Sequence, residues 1–178
     1  MTTHESLGAR LAAVVEKDER LDGLVARVTR PTERLIASPG RRDLLLGKQL
    51  GHALHPILTD LPIGLWTSSV VLDLTMPTSR DAARRLVALG VLAAVPTAVT
   101  GWAEWARTEE REDRRTGVVH AAANGAAALL FAGSWLARRS GKHGTGVALS
   151  QLGTLAMGAG GALGGHLAIG RKVGSTFS

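Results

Sequence analysis

From Pro56 onward, apolar residues gather into four long runs separated by short charged segments. The runs lie at about 56–75, 86–105, 118–137 and 147–169. Each is close to the roughly twenty residues a helix needs to cross a hydrocarbon layer about 30 Å thick. Leu86 to Ala103 and Val118 to Ala137 hold no Asp, Glu, Lys or Arg. The first run is bracketed by Asp60 and Asp73. It carries Pro62 and Gly64 near its start, where proline is tolerated because early helical N–H groups have no partner. The connections expected between the runs, Met76–Arg85, Ala106–Gly117 and Arg138–Gly146, are short and charged. Short connections force antiparallel neighbours, so the pattern predicts an all-α, up-down four-helix membrane bundle over residues 51–178.

Residues 1–50 follow a different pattern. Leu7, Leu11, Val14, Leu21, Leu24, Val25 and Val28 recur at helical spacing among mixed charges, which predicts one or two amphipathic helices before Pro31 and a break from Ser38 to Arg42. Such a segment either lies along the membrane surface or packs as a small helical cap. Its nearly balanced charge favours the cap, since surface-bound helices are usually richer in Lys and Arg.

Composition sharpens this picture. The chain has 22 glycines, no tyrosine, two phenylalanines and four tryptophans. Small residues are what helices use to approach closely in lipid, where packing replaces the hydrophobic effect. Without cysteine the chain itself supplies no disulfide, thiolate metal site or iron–sulfur ligand. The net charge of +6 sits in blocks between apolar runs, without the interleaved aromatics of a strand-binding groove, so no nucleic-acid partner is expected and the lipid bilayer is. No uninterrupted apolar stretch of a signal peptide precedes the runs, and the first span is expected to direct insertion. Basic residues near the spans favour the side holding the N-terminus, the second connection and the C-terminus. Arg41, Arg42, Lys48, Arg107, Arg111, Arg114, Arg115, Arg171 and Lys172 lie there, against Arg80, Arg84, Arg85, Arg138, Arg139 and Lys142 opposite. The positive-inside rule then predicts a multi-pass protein of the cytoplasmic membrane with both termini in the cytoplasm.

Ionisable side chains in or beside a span are functional candidates, because lipid disfavours them. His52 and His55 open the first span, Trp102 and Glu104 close the second, His120 and Asn124 open the third, and His166 lies near the end of the fourth. Antiparallel order brings all of these to one membrane face. Imidazole ligates b-type haem and several metals. His120 and His166 are the expected haem pair, with His55 as a third candidate and Asn124, Asp60 and Glu104 as partners that orient the rings. A metal ion in place of haem would draw on His55, His120 and His166 together, because a site without thiolate needs three or four N or O ligands. His4 and His143 are read as tail and outer-loop residues, and Asp73 as an interfacial ion pair with Arg84 or Arg85. Trp102, Trp105 and Trp135 are expected at the membrane interface and Trp66 inside the bundle. In the fourth run, Gly160 with Gly164 and Gly161 with Gly165 both have the spacing for close helix contact, and the Gly161–Gly165 pair is expected at such an interface. The same glycines could make room for a flat cofactor beside His166.

The stretch Gly51-His-Ala-Leu-His-Pro-Ile-Leu-Thr-Asp-Leu-Pro-Ile-Gly64 resembles the opening of an uncharacterised bacterial family of four-span membrane domains. Its signature is Gly-His-Pro/Ala-x-His-Pro-x-Leu-x-x-x-Pro-Ile-Gly. The resemblance continues at Gly101-Trp102, at Gly117 to His120 and at Gly164-Gly165-His166-Leu167, covering about residues 45–175. Some members of that family carry a fused Rieske iron–sulfur domain, which implies membrane-linked electron transfer. This sequence has no Rieske segment, so a redox partner would be a separate, Rieske-type protein. The expected function is therefore a membrane subunit that binds a redox cofactor, b-type haem, and passes electrons. The alternative is a cofactor-free membrane scaffold whose histidines stabilise helix ends. A proton or small-solute carrier using Asp60, Glu104 and the histidines lacks the repeats and broken helices of transporters. Phosphate loops, nucleophile elbows and HExxH motifs are missing from the sequence.

Overall fold

A computed structural model describes residues 7–76 and 78–173; His4 and Ser178 lie outside the described residues. The chain is all-α. Helices α1 (Leu7–Glu16), α2 (Asp22–Leu35) and α3 (Pro39–Leu46) precede four long helices, α4 (Leu54–Thr75), α5 (Arg80–Trp105), α6 (Arg111–Arg139) and α7 (His143–Gly165), the last continued by a π-turn at His166–Gly170. The four long helices are long and apolar enough to cross a membrane, and they form the membrane bundle.

The helices begin and end beyond the apolar runs. α5 starts at Arg80, α6 spans Arg111 to Arg139, and α7 starts at His143, so most of each expected connection is helical. Hydropathy reports where lipid begins, whereas the backbone keeps its hydrogen bonds into the polar layer. Charge supports these extra turns: Glu112 and Asp113 stand in the first turn of α6 and Arg138 and Arg139 in its last, each at the helix end its sign favours. Before the bundle, Pro31 does not end a helix but lies inside α2 on its exposed side. The break falls at 36–38 rather than over Ser38 to Arg42: Ser38 is the N-cap of α3, and Pro39 stands in its first turn, where a missing N–H costs nothing.

Contacts divide the chain into two compact units. The second unit, residues 56–98 and 123–158, holds an apolar core drawn from all four long helices. Trp66 stacks flat on Phe131, with ring centroids 4.3 Å apart and an interplanar angle of 6°, and Val87, Val91, Ala94, Ala128, Trp135 and Met157 surround the pair. Trp66 is thus in the bundle, as its depth in the first run predicts. Its indole sits where a side chain at residue 90 would be, and its Nε1–H donates to the Val87 carbonyl at 3.3 Å. Pro62 falls nine residues into α4, past the free first-turn N–H groups, and removes the partner of the Leu58 carbonyl. The Thr97 hydroxyl of α5 lies 3.1 Å from that carbonyl and 2.9 Å from the Ala93 carbonyl, so its one proton is shared between an acceptor left open by Pro62 and one on its own helix.

The same unit contains a buried ion pair between helices. Asp73 pairs not with Arg84 or Arg85 but with Arg138 of α6, while Arg84 bonds to Asp81. The two guanidinium Nη atoms reach the two Asp73 oxygens at 2.8 and 2.5 Å, and Nε donates to Ser134 Oγ at 3.0 Å. Ser134 donates to the Gly146 carbonyl at 2.7 Å, so the 2.8 Å contact with Ser150 has Ser150 as donor. His143 is the first residue of α7 rather than a loop residue, with Nε2 4.0 Å from Asp73.

The first unit comprises 7–55, 99–122 and 159–173 among the described residues. Here the N-terminal helices are tied to α6 and α7. Arg115 grips both oxygens of Asp22 at 2.7 and 2.8 Å and donates to the Glu16 carbonyl at 2.8 Å. Arg114 reaches the Thr29 hydroxyl at 2.7 Å and covers the Trp105 ring at 4.3 Å. Trp105 is therefore packed inside this unit rather than set out as an anchor, with Nε1–H donating to the Arg114 carbonyl at 3.0 Å.

The Asp22–Arg115 tie predicts a pH response. The hydrogen bonds from Arg115 hold the Asp22 carboxyl below its ordinary range. A depressed folded-state pKa stabilises the docked form above the unfolded value, near 4, and that contribution disappears as pH falls through the lower folded value. Hydrogen-exchange protection of α2 should stay level from pH 7 to pH 5 and drop below about pH 4. Asp22→Asn should show the low protection already at pH 7; equal protection of the two proteins at pH 7 would mean the tie does not hold α2.

Candidate functional site

The sequence candidates divide between the two units. His55, Glu104, His120 and His166 belong to the first. Asp60, exposed on α4, and Asn124, half-buried on α6, belong to the second.

In the first unit two imidazoles meet. His55, in the opening turn of α4, and His120, in the third turn of α6, have ring centroids 6.3 Å apart and planes at 87°. Each ring rests against a glycine of another helix. A Cβ on Gly101 of α5 would lie 2.8 Å from His55 Cε1, and one on Gly164 of α7 would lie 2.7 Å from His120 Cε1. These approaches are closer than real Cβ atoms make, so both positions need a residue without a side chain. His120 is further oriented by Nδ1, 2.8 Å from the Gly160 carbonyl. Nδ1 is therefore the protonated nitrogen of a neutral ring bonded this way, and Nε2 the basic one.

The glycine pattern of α7 is thereby assigned to one face. Gly160 and Gly164 both serve His120, whereas nothing lies within 4 Å of where a Cβ on Gly161 or Gly165 would be. The expectation that Gly161 and Gly165 form the close helix contact is corrected. Neighbouring residues on a helix are turned by about 100°, so the two overlapping motifs cannot face the same neighbour.

His166 has a different partner. Its Nε2 lies 3.1 Å from the Glu16 carboxylate of α1, which the sequence pattern did not suggest. Among the described residues, no group of three or more His, Asp or Glu side chains stands where it could hold a metal ion. Glu104 is adjacent to the imidazole pair: its carboxylate accepts a hydrogen bond from the His55 backbone N–H, and Oε1 is buried with no hydrogen-bond partner. The same side chain lines a cavity of about 300 Å³ together with Arg107, Thr108, Asp113, Arg171 and Lys172. Arg171 donates from Nε to Asp113 at 2.6 Å, and this bond raises the guanidinium pKa further above its ordinary range. The cavity thus leads from charged groups to a carboxylate that touches the backbone of His55.

Residues 51–176 match the model of the family described as "Predicted membrane protein (DUF2231)". The chain belongs to this family. The match begins at the Gly-His motif and takes in all four long helices, the paired imidazoles and their glycine seats, while α1 to α3 precede it. No curated protein and no solved structure matches the chain. As a DUF2231 protein it is a predicted membrane protein, in agreement with its four candidate spans.

Proposed function

We propose that this DUF2231 chain is a cytoplasmic-membrane subunit that holds a redox cofactor, b-type haem, at His55 and His120 and passes electrons to a separate protein of Rieske type. The observation that carries this reading is the imidazole pair. A haem iron would take one imidazole nitrogen from each of two rings, so the rings that would hold it must come close together from different helices. His55 of α4 and His120 of α6 meet this condition, with ring centroids 6.3 Å apart. The Nδ1 contact of His120 to a backbone carbonyl is the arrangement that fixes the tautomer and orientation of a ligating histidine. His166, engaged with Glu16, takes a supporting role in this version, and the ligand pair moves from His120 and His166 to His55 and His120. Haem would supply one-electron chemistry; the protein's part is to orient the two rings, exclude lipid from between them and keep Glu104 beside the pair.

A cofactor-free scaffold is the second reading. It is favoured by the way both rings fill the space left by Gly101 and Gly164, as packing wedges would. The purified protein separates the two. A Soret band with sharp bands on reduction supports the redox reading, and a colourless protein free of iron by elemental analysis supports the scaffold.

The orientation proposed with this function puts both termini in the cytoplasm, on the basic bias of that side. Cysteines introduced at Ser79 and Ser140 should react with an impermeant reagent in intact cells, and one at Gln49 should not. Labelling at Gln49 with protection at Ser79 would invert the protein.

A further inference from the structure

The docked face of α2 is formed by Asp22 and Thr29, held by Arg115 and Arg114, together with the buried Thr32. Arg27, Arg30 and Arg34 follow at i, i+3 and i+7 and are exposed. At 3.6 residues per turn the three arginines stand together on the side of α2 opposite the docked face. No ion pair to any of their side chains occurs among the described residues. Arg42 and Lys48, also exposed, add charge before α4 begins at Leu54, offset by Glu33 and Asp43.

Depth is indicated by α1. A Cβ on Gly8 would run into the Ala162 carbonyl, so α1 lies against α7 at a residue within the candidate span His143–Gly170. From that position it exposes Leu11 (39%) and Val14 (73%). Apolar side chains beside a span are at home in the acyl boundary. The short link from α1 through Glu19–Leu21 keeps α2 near the level of the headgroups.

From these placements we infer that the N-terminal segment binds anionic lipid headgroups of its own membrane, with Arg27, Arg30 and Arg34 on phosphates and Leu11 and Val14 in the acyl boundary. Basic clusters immediately before a span gain attraction from each arginine near an anionic surface, and the gain is screened by salt. The segment then acts as a charged foot on the leaflet that faces the His55–His120 end. The inference does not depend on whether a cofactor binds there.

The full-length protein in nanodiscs provides the test. Hydrogen exchange of the α2 amides should be at least tenfold slower, roughly, in discs containing phosphatidylglycerol than in pure phosphatidylcholine, with the difference collapsing in high salt. The triple variant Arg27→Gln, Arg30→Gln, Arg34→Gln should lose the lipid effect, and the triple Lys variant should keep it. Because these side chains lie away from α6, thermal unfolding in phosphatidylcholine should be unchanged, which separates lipid binding from folding. Equal exchange in the two lipids would overturn the inference, as would a Gln variant that retains the difference. Binding of an acidic protein that needs the arginines, with no lipid effect, would assign the face to that protein instead.

Discussion

Removing the carboxylate of Asp73 should destabilise the bundle by about 3–5 kcal/mol, because it leaves the Arg138 guanidinium charged and unpaired in the interior. The two side chains are 1% and 2% exposed, and Arg138 spends its donors on Asp73, Ser134 and Ser150. None of those hydroxyls can replace a negative charge. Asp73→Ala should therefore lower the thermal midpoint in detergent sharply and reduce the amount of inserted protein. Arg138→Met should be harmful for the converse reason. The double variant Asp73→Leu/Arg138→Met should recover much of the loss, since a buried pair as a whole contributes little beyond what well-packed apolar groups supply. If each single variant stays within about 1 kcal/mol of the parent, water or lipid phosphate reaches the pair and it behaves as a surface salt bridge.

The next largest effect is expected at the glycine seats. Gly164→Val puts a Cβ and its branches onto the His120 ring, which must leave both the seat and the Gly160 carbonyl. Gly101→Val does the same to His55. Overpacking of this kind costs about 1–3 kcal/mol, and the rings lose the geometry that would let them act together. Gly161→Val, one turn back on α7 and facing open space, should leave the unfolding midpoint near that of the parent. A Gly161 variant as damaged as the Gly164 variant would mean that another surface covers residue 161.

The contrast between these glycines shows what could be read in advance and what could not. The four spans were legible because a bilayer demands length and apolar composition, and both are properties of a string of residues. The true helix ends were not, since Arg111 and Arg139 belong to the helix but not to the apolar run. Two overlapping small-xxx-small motifs are equivalent on paper; only the rotation of α7 against His120 separates Gly160 and Gly164 from Gly161 and Gly165. Topology alone brought His55, His120 and His166 to one face, and the first two do meet. His166 turned to Glu16, 150 residues away in a segment whose docking has no periodic signature. Asp73 had several arginines within plausible reach, and charge alone cannot choose among Arg84, Arg85 and Arg138. The choice follows from Ser134 and Ser150, which complete the guanidinium's hydrogen bonds. Asp60 is exposed on α4, and Asn124 is half-buried one turn beyond His120 on α6.

We propose that His55 and His120 together hold a redox cofactor. The reduced-minus-oxidised optical spectrum of purified full-length protein, recorded for the parent and for His55→Ala, His120→Ala and His166→Ala, tests it most directly. Haem bands are expected in the parent, with their loss or a marked shift in each of the first two variants and bands of parental position in the third. A spectrum without such bands in the parent, or bands that survive both His55→Ala and His120→Ala, would contradict it.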